Sequence, residues 1–351
     1  MLRSRLRLEV LEERDLLSTL SVFQRQANPL ASFFAVGGAD VPGIQQSFDG
    51  SGDRFQLGAY GGRVQVRRLS DGSLITDFAP FGPNYHGRVS VAVGDVNHDG
   101  IDDLIVGKAD PMADAIFQVK IFNGVAFQNG TFQVGSPDLS LIGQFSPYEA
   151  RFHVGVNVAV GDIENNGFAD IITAPTAGNP DVRVFRGQDI VNHIFNPVAQ
   201  WFAYGLNFNV GANLAAGDIN GNGFADIVTG ATCGNAHVKV YDGRDLAFPF
   251  PMSTGHFNPN GSSLLASFFA YDLGHDIGAF VSVGATNSEG FGNVITGQTR
   301  GGSLVKVFDG RAIAQRIFNR DNNLLDQFFA FDTRNEGTDL NIGGNHIFQN
   351  P

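Results

Sequence analysis

The stretch VAVGDVNHDGIDDLIVG, from Val91 to Gly107, decides the fold of this chain, because it returns three more times in the same frame. The later copies are VAVGDIENNGFADIITA from Val158, LAAGDINGNGFADIVTG from Leu214, and VSVGATNSEGFGNVITG from Val281. The loops inside the four copies begin 67, 56 and 67 residues apart, at Asp95, Asp162, Asp218 and Ala285. Repeats of this length predict one propeller blade per copy.

Each copy belongs to a larger unit with two more strand patterns. An alternating run ending in glycine follows each loop: VKIFNG, VRVFRG, VKVYDG and VKVFDG. An aromatic run comes later in the unit: LIGQFSPY, VAQWFAY, LLASFFAY and LLDQFFAF. Alternation of period two predicts strands, and Asn-Gly or Asp-Gly supplies the positive φ angles of tight reversals. Each unit is therefore expected to form four strands, with the aromatic runs packed between blades.

The repeats predict an all-β fold, a single β-propeller domain over residues 19–351. Six blades are favoured and seven are possible, because the segment 41–61 is a degraded first half of a unit. The chain opens with Leu20–Phe23 and Leu30–Val36, interpreted as the third and fourth strands of a blade, and ends with the first-strand pattern Asp339–Gly344. We therefore expect the last blade to be closed by strands from both termini, which removes exposed sheet edges.

Residues 1–18, MLRSRLRLEVLEERDLLS, differ from the rest of the chain in their density of Arg and Glu. They lack the uninterrupted apolar core of a secretory signal. Through Leu11, Glu12 and Arg14 the segment resembles the short LExR leader of exported planctomycete proteins. The other interpretation is a partly ordered amphipathic tail, so residues 1–18 are a leader or a tail.

The composition excludes several classes of protein. With 35 acidic and 23 basic side chains, the net charge is −12, which disfavours nucleic-acid binding because phosphates need clustered Lys and Arg. The sequence contains no run of 18 or more apolar residues, so it predicts no membrane span. The single cysteine, Cys233, cannot form an internal disulfide. We expect a monomer.

The first loop has oxygen-bearing side chains at positions 1, 3, 5 and 9 of nine residues: Asp95, Asn97, Asp99 and Asp103. Gly100 at position 6 allows a sharp turn that aims the carbonyl of Ile101 inward. This number of hard oxygen ligands suits Ca²⁺, whereas zinc would prefer His or Cys. His98, at position 4, is expected to point into solvent.

The second and third loops repeat the pattern. The second offers Asp162, Glu164, Asn166, the Phe168 carbonyl and Asp170; the third offers Asp218, Asn220, Asn222, the Phe224 carbonyl and Asp226. About three calcium sites follow, of which the third is expected to be weakest because it has the fewest carboxylates. The fourth loop starts with Ala285 and is expected to be empty. The alternative is an array of Asx turns that only cap the backbone.

The loops share one sequence pattern, GD-x-[ND/E]-x-[ND]-G-x-x-D-[IL], which follows a V-x-VA-like strand. This pattern resembles the FG-GAP/VCBS repeat of integrin-α-like β-propellers. The resemblance covers nearly all of residues 19–351; it is strong in the middle three units and weak at both ends. It implies a propeller with Ca²⁺ held in hairpin loops on one rim, in a secreted or cell-surface protein. The implied ligands are those named above for the first three loops.

Two functions remain open from the sequence. The first is a calcium-binding extracellular propeller that acts as a binding or adhesion module for a protein or polysaccharide ligand at the cell surface. The alternative is a polysaccharide-active enzyme, a lyase or glycosidase, which would need clustered carboxylates or a His–Arg pair at one end of the channel. The sequence contains no such cluster beyond the loop residues, so binding is favoured over catalysis.

Overall fold

A computed structural model describes much of the chain. It covers residues 7–10, 20–24, 32–37, 55–60, 62–68, 74–110, 118–149, 152, 154–205, 208–246, 258–272, 277–284, 290–299, 304–329 and 340–343. Within these residues the structure has 23 strands and three α-helices of five residues each, which confirms the all-β class. None of the described helices has the length and apolarity needed to cross a membrane.

The first strands of the chain contribute to two sheets. The strands β1 (Arg7–Val10), β2 (Leu20–Gln24) and β3 (Ser32–Gly37) are neighbours in one antiparallel sheet. A three-stranded antiparallel sheet follows, made of β4 (Phe55–Tyr60), β5 (Arg63–Arg68) and β6 (Leu74–Phe78).

The next four sheets share one four-stranded antiparallel plan, in which each strand pairs with the following one. The first is β7 (Val89–Gly94), β8 (Asp103–Lys108), β9 (Val119–Phe122) and β10 (Leu141–Phe145), with α1 (Gly124–Gln128) and a 3-10 turn (Pro137–Ser140) before β10. The second is β11 (Val156–Gly161), β12 (Asp170–Pro175), β13 (Asp181–Phe185) and β14 (Ala199–Phe202), with α2 (Gly187–Val191). The third is β15 (Ala212–Gly217), β16 (Asp226–Ala231), β17 (His237–Tyr241) and β18 (Leu264–Phe269), with a 3-10 turn (Gly243–Leu246). The fourth is β19 (Ala279–Gly284), β20 (Asn293–Gln298), β21 (Leu304–Phe308) and β22 (Leu324–Phe329), with α3 (Gly310–Ala314).

Successive sheets pack face to face in chain order. The first strands lie side by side, β7 against β11, β11 against β15 and β15 against β19, and the second strand of each sheet also packs on the first strand of the next. Buried Val, Ile and Ala side chains on these strands fill the space between the sheets. This arrangement is that expected for the blades of a propeller.

Tyrosines from the aromatic runs join neighbouring sheets. The hydroxyls of Tyr148, Tyr204 and Tyr271 donate to backbone carbonyls at the start of the next sheet's third strand, at 2.7 to 2.9 Å. Trp201 is buried in the same layer, but its neighbour Phe202 is 40% exposed because adjacent residues of a strand point to opposite faces. The predicted packing of the aromatic runs between blades is thus confirmed for alternate residues of the runs.

Strands from both ends of the described chain share one sheet. The last strand, β23 (Leu340–Gly343), pairs antiparallel with β3 and packs against β19 and β20. One detail of the prediction is wrong: β3 lies next to β23, in the second position of this sheet, and β2 lies third rather than β2 and β3 being third and fourth. The strand β23 is the first strand of this sheet, and only the strand in the second position lies close enough to pair with it, so β3 cannot be the fourth strand. The remaining place is taken by β1, from within residues 1–18; the other residues of that segment lie outside the described ones. Ring closure and six blades stay predictions.

Candidate metal centre

The three predicted loops lie at the same place in three consecutive sheets. Each connects the first strand to the second: loop 1 (95–103) joins β7 to β8, loop 2 (162–170) joins β11 to β12, and loop 3 (218–226) joins β15 to β16. In each hairpin the glycine before the loop pairs with the carboxylate residue at position 9, as in Gly94 with Asp103. The strand register therefore brings positions 1 and 9 together at one end of the sheet.

The carboxylate at position 1 folds the loop around itself. Asp95 accepts the N–H groups of Asp99 (3.0 Å) and Gly100 (2.8 Å). Asp162 and Asp218 accept the N–H groups of positions 5 and 6 in the same way, at 2.8 to 3.1 Å. The Asx turns that the sequence offered as an alternative are therefore present. They do not exclude a cation, because each carboxylate oxygen has a second lone pair.

The side chains at positions 3 and 5 and the backbone of position 7 complete the loop. The position 5 side chain accepts the N–H of position 7 in all three loops, from Ile101 (3.0 Å), Phe168 (2.9 Å) and Phe224 (2.9 Å). At position 3, Asn97 donates to Asp99 and Asn220 to Asp226, whereas Glu164 accepts from Asn166. All predicted ligand side chains of a loop therefore lie within one hydrogen-bonded turn.

The carboxylate at position 9 ties the loop to the third strand. One oxygen of Asp103 accepts the N–H of Val96 (3.1 Å), and the other accepts the N–H of Gly124 (2.9 Å). Asp170 and Asp226 repeat both bonds, with Gly187 and Gly243 after their third strands. In the fourth repeat Asn293 still accepts from Gly310 (2.8 Å). Position 9 is thus a structural acceptor as well as a predicted ligand.

Burial raises the pKa of the position 9 carboxyls. The pKa of Asp103 is raised to about 8, first by desolvation and then by repulsion from Asp99 and Asp95. The pKa of Asp170 is raised to about 7 and that of Asp226 to about 8, again mainly by desolvation and further by neighbouring carboxylates. A positive charge placed among these groups would relieve the repulsion.

The donor set can be compared with the needs of Ca²⁺. The loops offer carboxylate, amide and carbonyl oxygens, which are the ligands Ca²⁺ prefers, and hold no His or Cys in ligand positions. Within the described residues, however, no three Asp, Glu, His or Cys side chains are grouped closely enough to form a ready-made metal site. The chemistry of loops 1 and 3 fits Ca²⁺, and the side-chain oxygens would have to converge further on binding.

A cationic side chain from outside loop 2 contacts this loop. Glu164, at position 3, is paired with Arg186, whose Nη2 and Nε atoms lie 2.6 and 2.7 Å from the same oxygen, Oε1. Their side chains are 14% and 23% exposed, so the pair is largely buried. Arg186 directly follows β13 and was not among the predicted site residues. The signal in the sequence was the third-strand run VRVFRG, with Arg where other repeats have Asn or Asp.

Neighbouring loops contact one another. The N–H of Ala169 donates to the Asp95 carbonyl (2.8 Å), and loops 2 and 3 are joined by the same bond from Ala225 to Asp162 (2.9 Å). His98 does not simply point into solvent as expected. Its Nδ1 lies 2.6 Å from the Gly167 carbonyl, and its ring lies 5.0 Å from that of Phe168, although the residue remains exposed. The fourth loop cannot be compared, because residues 285–289 lie outside the described ones.

The profile of the FG-GAP repeat matches this chain at residues 87–113 and 210–244. The first match contains loop 1 and the second contains loop 3. Each match spans the first strand, the loop and the second strand of its sheet.

Sequence comparison finds similar stretches in integrin α subunits. The chain is 31% identical to integrin alpha-4 of Xenopus laevis over 196 residues, which are 51% of this chain and 18% of the relative. It is 32% identical to human integrin alpha-IIb over 178 residues, which are 45% of this chain and 16% of the relative. The matches thus span less than a fifth of each relative's length. The chain therefore contains two segments that match the FG-GAP repeat, and it resembles integrin α subunits over about half of its length.

Proposed function

We propose that this chain is a calcium-binding FG-GAP propeller that acts as an extracellular binding or adhesion module for a protein or polysaccharide ligand. The observation that carries the proposal is the return of one oxygen-rich loop at the same edge of three consecutive sheets. The similarity to integrin α subunits supports a binding role.

The proposed calcium ligands are the fifteen groups predicted from the sequence, the carbonyls of Ile101, Phe168 and Phe224 included. In loops 1 and 3 their positions and oxygen chemistry support this assignment. Bound Ca²⁺ would supply positive charge next to the buried carboxyls at position 9. The loops themselves would hold the hairpins in register and leave other surfaces of the sheets for the ligand.

The whole protein would then be a monomeric, secreted or cell-surface propeller over residues 19–351, preceded by a leader or tail. Six blades, the last closed by both termini, are supported by the pairing of β23 with β3. The order in which the sheets pack also supports this arrangement.

Direct calcium titration of the purified chain tests the metal part of the proposal. Isothermal titration should give saturable binding of Ca²⁺, and melting temperatures should fall in chelator, since a ligand bound only by the folded state stabilises it by ~2.7 kcal/mol per site at a hundredfold excess over Kd. A triple Asp95→Ala, Asp162→Ala, Asp218→Ala variant serves as the control. Equal melting with millimolar Ca²⁺ and with chelator would contradict calcium binding.

The ligand-binding part needs its own test. The chain, with Ca²⁺ present, is screened against immobilised matrix proteins and polysaccharides, and against polysaccharide substrates for bond cleavage. Saturable binding without cleavage is expected. Turnover of any polysaccharide would instead make the chain an enzyme.

A further inference from the structure

The residue that follows the third strand differs in the loop 2 repeat. In three repeats it is an Asn or Asp whose side chain accepts an N–H of the following turn: Asn123 from Val125 (2.8 Å), Asp242 from Arg244 (3.1 Å) and Asp309 from Arg311 (2.9 Å). Such side chains stabilise the start of the turn. Arg186 makes no cap at the start of α2. Its contribution must lie elsewhere.

The guanidinium of Arg186 is instead directed at the loop. It contacts Glu164 through two nitrogens, and Glu164 also accepts from Asn166 (3.0 Å), another predicted ligand of loop 2. The carboxylate that should face a cation at position 3 is therefore already neutralised by a charge of this chain. In loop 3 the equivalent of Arg186 is acidic: Asp242 lies 3.5 Å from the amide of Asn222.

We propose that Arg186 serves as a built-in cation for loop 2, so that this loop binds Ca²⁺ more weakly than loops 1 and 3. The inference rests on the proposed calcium function and reverses the order expected from carboxylate counts, in which loop 3 was weakest. A divalent cation in loop 2 must displace or face a buried guanidinium, and either costs free energy.

The test replaces Arg186 by asparagine, the residue type found at the equivalent position in the loop 1 repeat (Asn123). Isothermal titration with Ca²⁺ is compared for the wild type and for Arg186→Asn, which also restores a capping side chain. The wild type should show two tight sites and one weaker site. The variant should tighten the weak site about tenfold, because a nearby positive charge is removed. Adding Asp162→Ala should abolish the gained site.

A matched control and two outcomes define the result. Arg183→Gln changes an ion-paired arginine of the same strand that contacts Asp181 rather than a loop, and should leave the titration unchanged. Three equally tight sites in the wild type, or no change in Arg186→Asn, would overturn the role of Arg186 while leaving the calcium function in place. Failure of every variant to bind Ca²⁺ would overturn both.

A second, independent inference concerns the middle of the third strands, where each of four repeats has a cation. Three of these have a polar partner: Lys120 contacts Asp138 (2.6 Å), Arg183 contacts Asp181 (2.8 Å), and Lys306 donates to the Ala270 carbonyl (3.1 Å). Lys239 is 9% exposed, and in the described part of the chain its amine has no hydrogen bond or ion pair. Its contact is with the ring of Tyr204, 5.8 Å from the centroid. The carbonyl of Ala203, equivalent to that of Ala270, is taken by the hydroxyl of Tyr241.

The preceding repeat contains the same arrangement with its own carboxylate. There Asp181 accepts from Arg183 and from Gln200 on the neighbouring strand (3.1 Å), and Arg183 lies over the ring of Tyr148. The strand register makes His237 and Ser267 the equivalents of Asp181 and Gln200. The loop 3 repeat thus has the cation, the tyrosine and the polar neighbours, but no carboxylate.

The surroundings of Lys239 also suit a sugar ring. The imidazole of His237 lies 2.8 Å from the hydroxyl of Ser267 and 4.7 Å from the ring of Phe269, which is 37% exposed. An exposed aromatic ring packs well against the apolar face of a pyranose, and an imidazole–hydroxyl pair can hydrogen-bond its substituents. Because the chain has a net charge of −12, a lysine that is 9% exposed and has no ion pair in the described residues is a local feature rather than part of a basic surface.

We propose that Lys239, His237, Ser267 and Phe269 bind a uronic acid unit of an acidic polysaccharide, with its carboxylate on Lys239. The inference deepens the proposed ligand-binding function and does not depend on calcium in the loops. Desolvation lowers the pKa of Lys239, and a bound carboxylate would favour its charged form.

The test uses an oligogalacturonate as the probe, with a neutral galactose oligomer and an oligoglutamate peptide as comparisons. Binding followed by titration calorimetry should be seen for the oligogalacturonate and should fall at least about tenfold in Lys239→Met, as expected for losing a desolvated charge pair. His237→Asp, which copies the self-neutralised repeat, should also abolish binding. Lys306→Met is the matched control and should bind normally.

Three outcomes would overturn the assignment. These are equal binding of the neutral oligomer, tighter binding of the peptide, and unchanged binding by both Lys239→Met and His237→Asp. Calcium titration of the same variants should be unaffected. A failure of this site is therefore separable from a failure of the calcium function.

Discussion

At the scale of single residues, position 9 of the loops shows how a structural bond and a ligand can share one side chain. The carboxylate of Asp226 accepts the N–H of Ile219 (2.9 Å) with one oxygen and that of Gly243 (2.9 Å) with the other. In the fourth repeat, where position 1 has lost its carboxylate, Asn293 keeps the second of these bonds. The acceptor is therefore retained where a calcium site is not expected.

The structural role of position 9 predicts different effects of two substitutions at Asp226. Asp226→Ala leaves buried N–H groups without an acceptor and should lower the free energy of unfolding by ~2–4 kcal/mol. Asp226→Asn keeps one acceptor and should cost less. Urea unfolding in chelator measures both without any contribution from calcium. The control is Asn293→Ala, which should also destabilise the chain; equal stability of Asp226→Ala and Asp226→Asn would contradict the structural role.

His237 provides a second prediction, on pH. Burial first, and then the positive charge of Lys239, lower its pKa to about 4 from an ordinary value of 6.5. The unfolded chain therefore binds more protons than the folded one between these values, so stability is lost as the pH falls from about 6.5 to about 4. His237→Gln removes this contribution. Urea unfolding at pH 7.5 and pH 5 should show a smaller acid loss for the variant than for the wild type. An equal loss would mean that His237 titrates normally in the folded chain.

At the scale of elements, the turn after each third strand is fixed by a close backbone contact. A Cβ atom on Gly124 would lie 1.9 Å from the Asp102 carbonyl oxygen, so no side chain fits there. A Cβ atom on Gly243 would lie 1.8 Å from the Ala225 carbonyl oxygen, and one on Gly310 would lie 1.8 Å from that of Gly292. These glycines are the last residues of the runs VKIFNG, VKVYDG and VKVFDG. Glycine is needed at this position because the backbone approaches the loop closely, in addition to the geometry of the turn.

Gly124→Ala should consequently destabilise the chain by about 3 kcal/mol or more, because the backbone of the loop or of the turn must move. Gly135 is the matched control, since a Cβ atom there would meet nothing within 4 Å. Gly135→Ala should leave thermal unfolding nearly unchanged. A mild effect of Gly124→Ala would show that the turn can move away from loop 1 without loss.

The strands and loops were predictable because their signals are local and repeated. The runs VKIF and VRVF correspond to β9 and to the end of β13, and the loop residues connect strands as predicted. The helices α1 to α3 were not predicted, because five residues are too few to give a helical period. The pair Glu164–Arg186 was also missed. Its members are 22 residues apart and meet only through the register of β12 with β13.

At the scale of the whole molecule, the acidic net charge is related to the position of the loops. Part of the acidic excess lies in loops at one edge of the sheets, where the position 9 carboxyls are buried and repelled by other carboxylates near them. In the loop 2 repeat one of those neighbouring carboxylates, Glu164, is paired with Arg186. The net charge of −12 therefore includes a concentration of carboxylates at the edge that carries the loops, and we expect this edge to respond most to cations.

Closure by the two termini is the prediction that depends on the whole chain. The strand β23 pairs with β3 through Leu340 to Gly343 and packs against β19 and β20, so it connects the first and the last parts of the described chain. Deleting residues 340–351 should remove that connection, expose the edge of β3 and lower the melting temperature by several degrees. Deleting only residues 344–351, which follow β23, is the matched control and should cost much less. Thermal unfolding followed by circular dichroism gives the comparison, and limited proteolysis should cut the shorter chain faster near Ser32–Gly37. Identical melting of the two truncated chains would mean that the sheet shared by the termini does not hold the ring together.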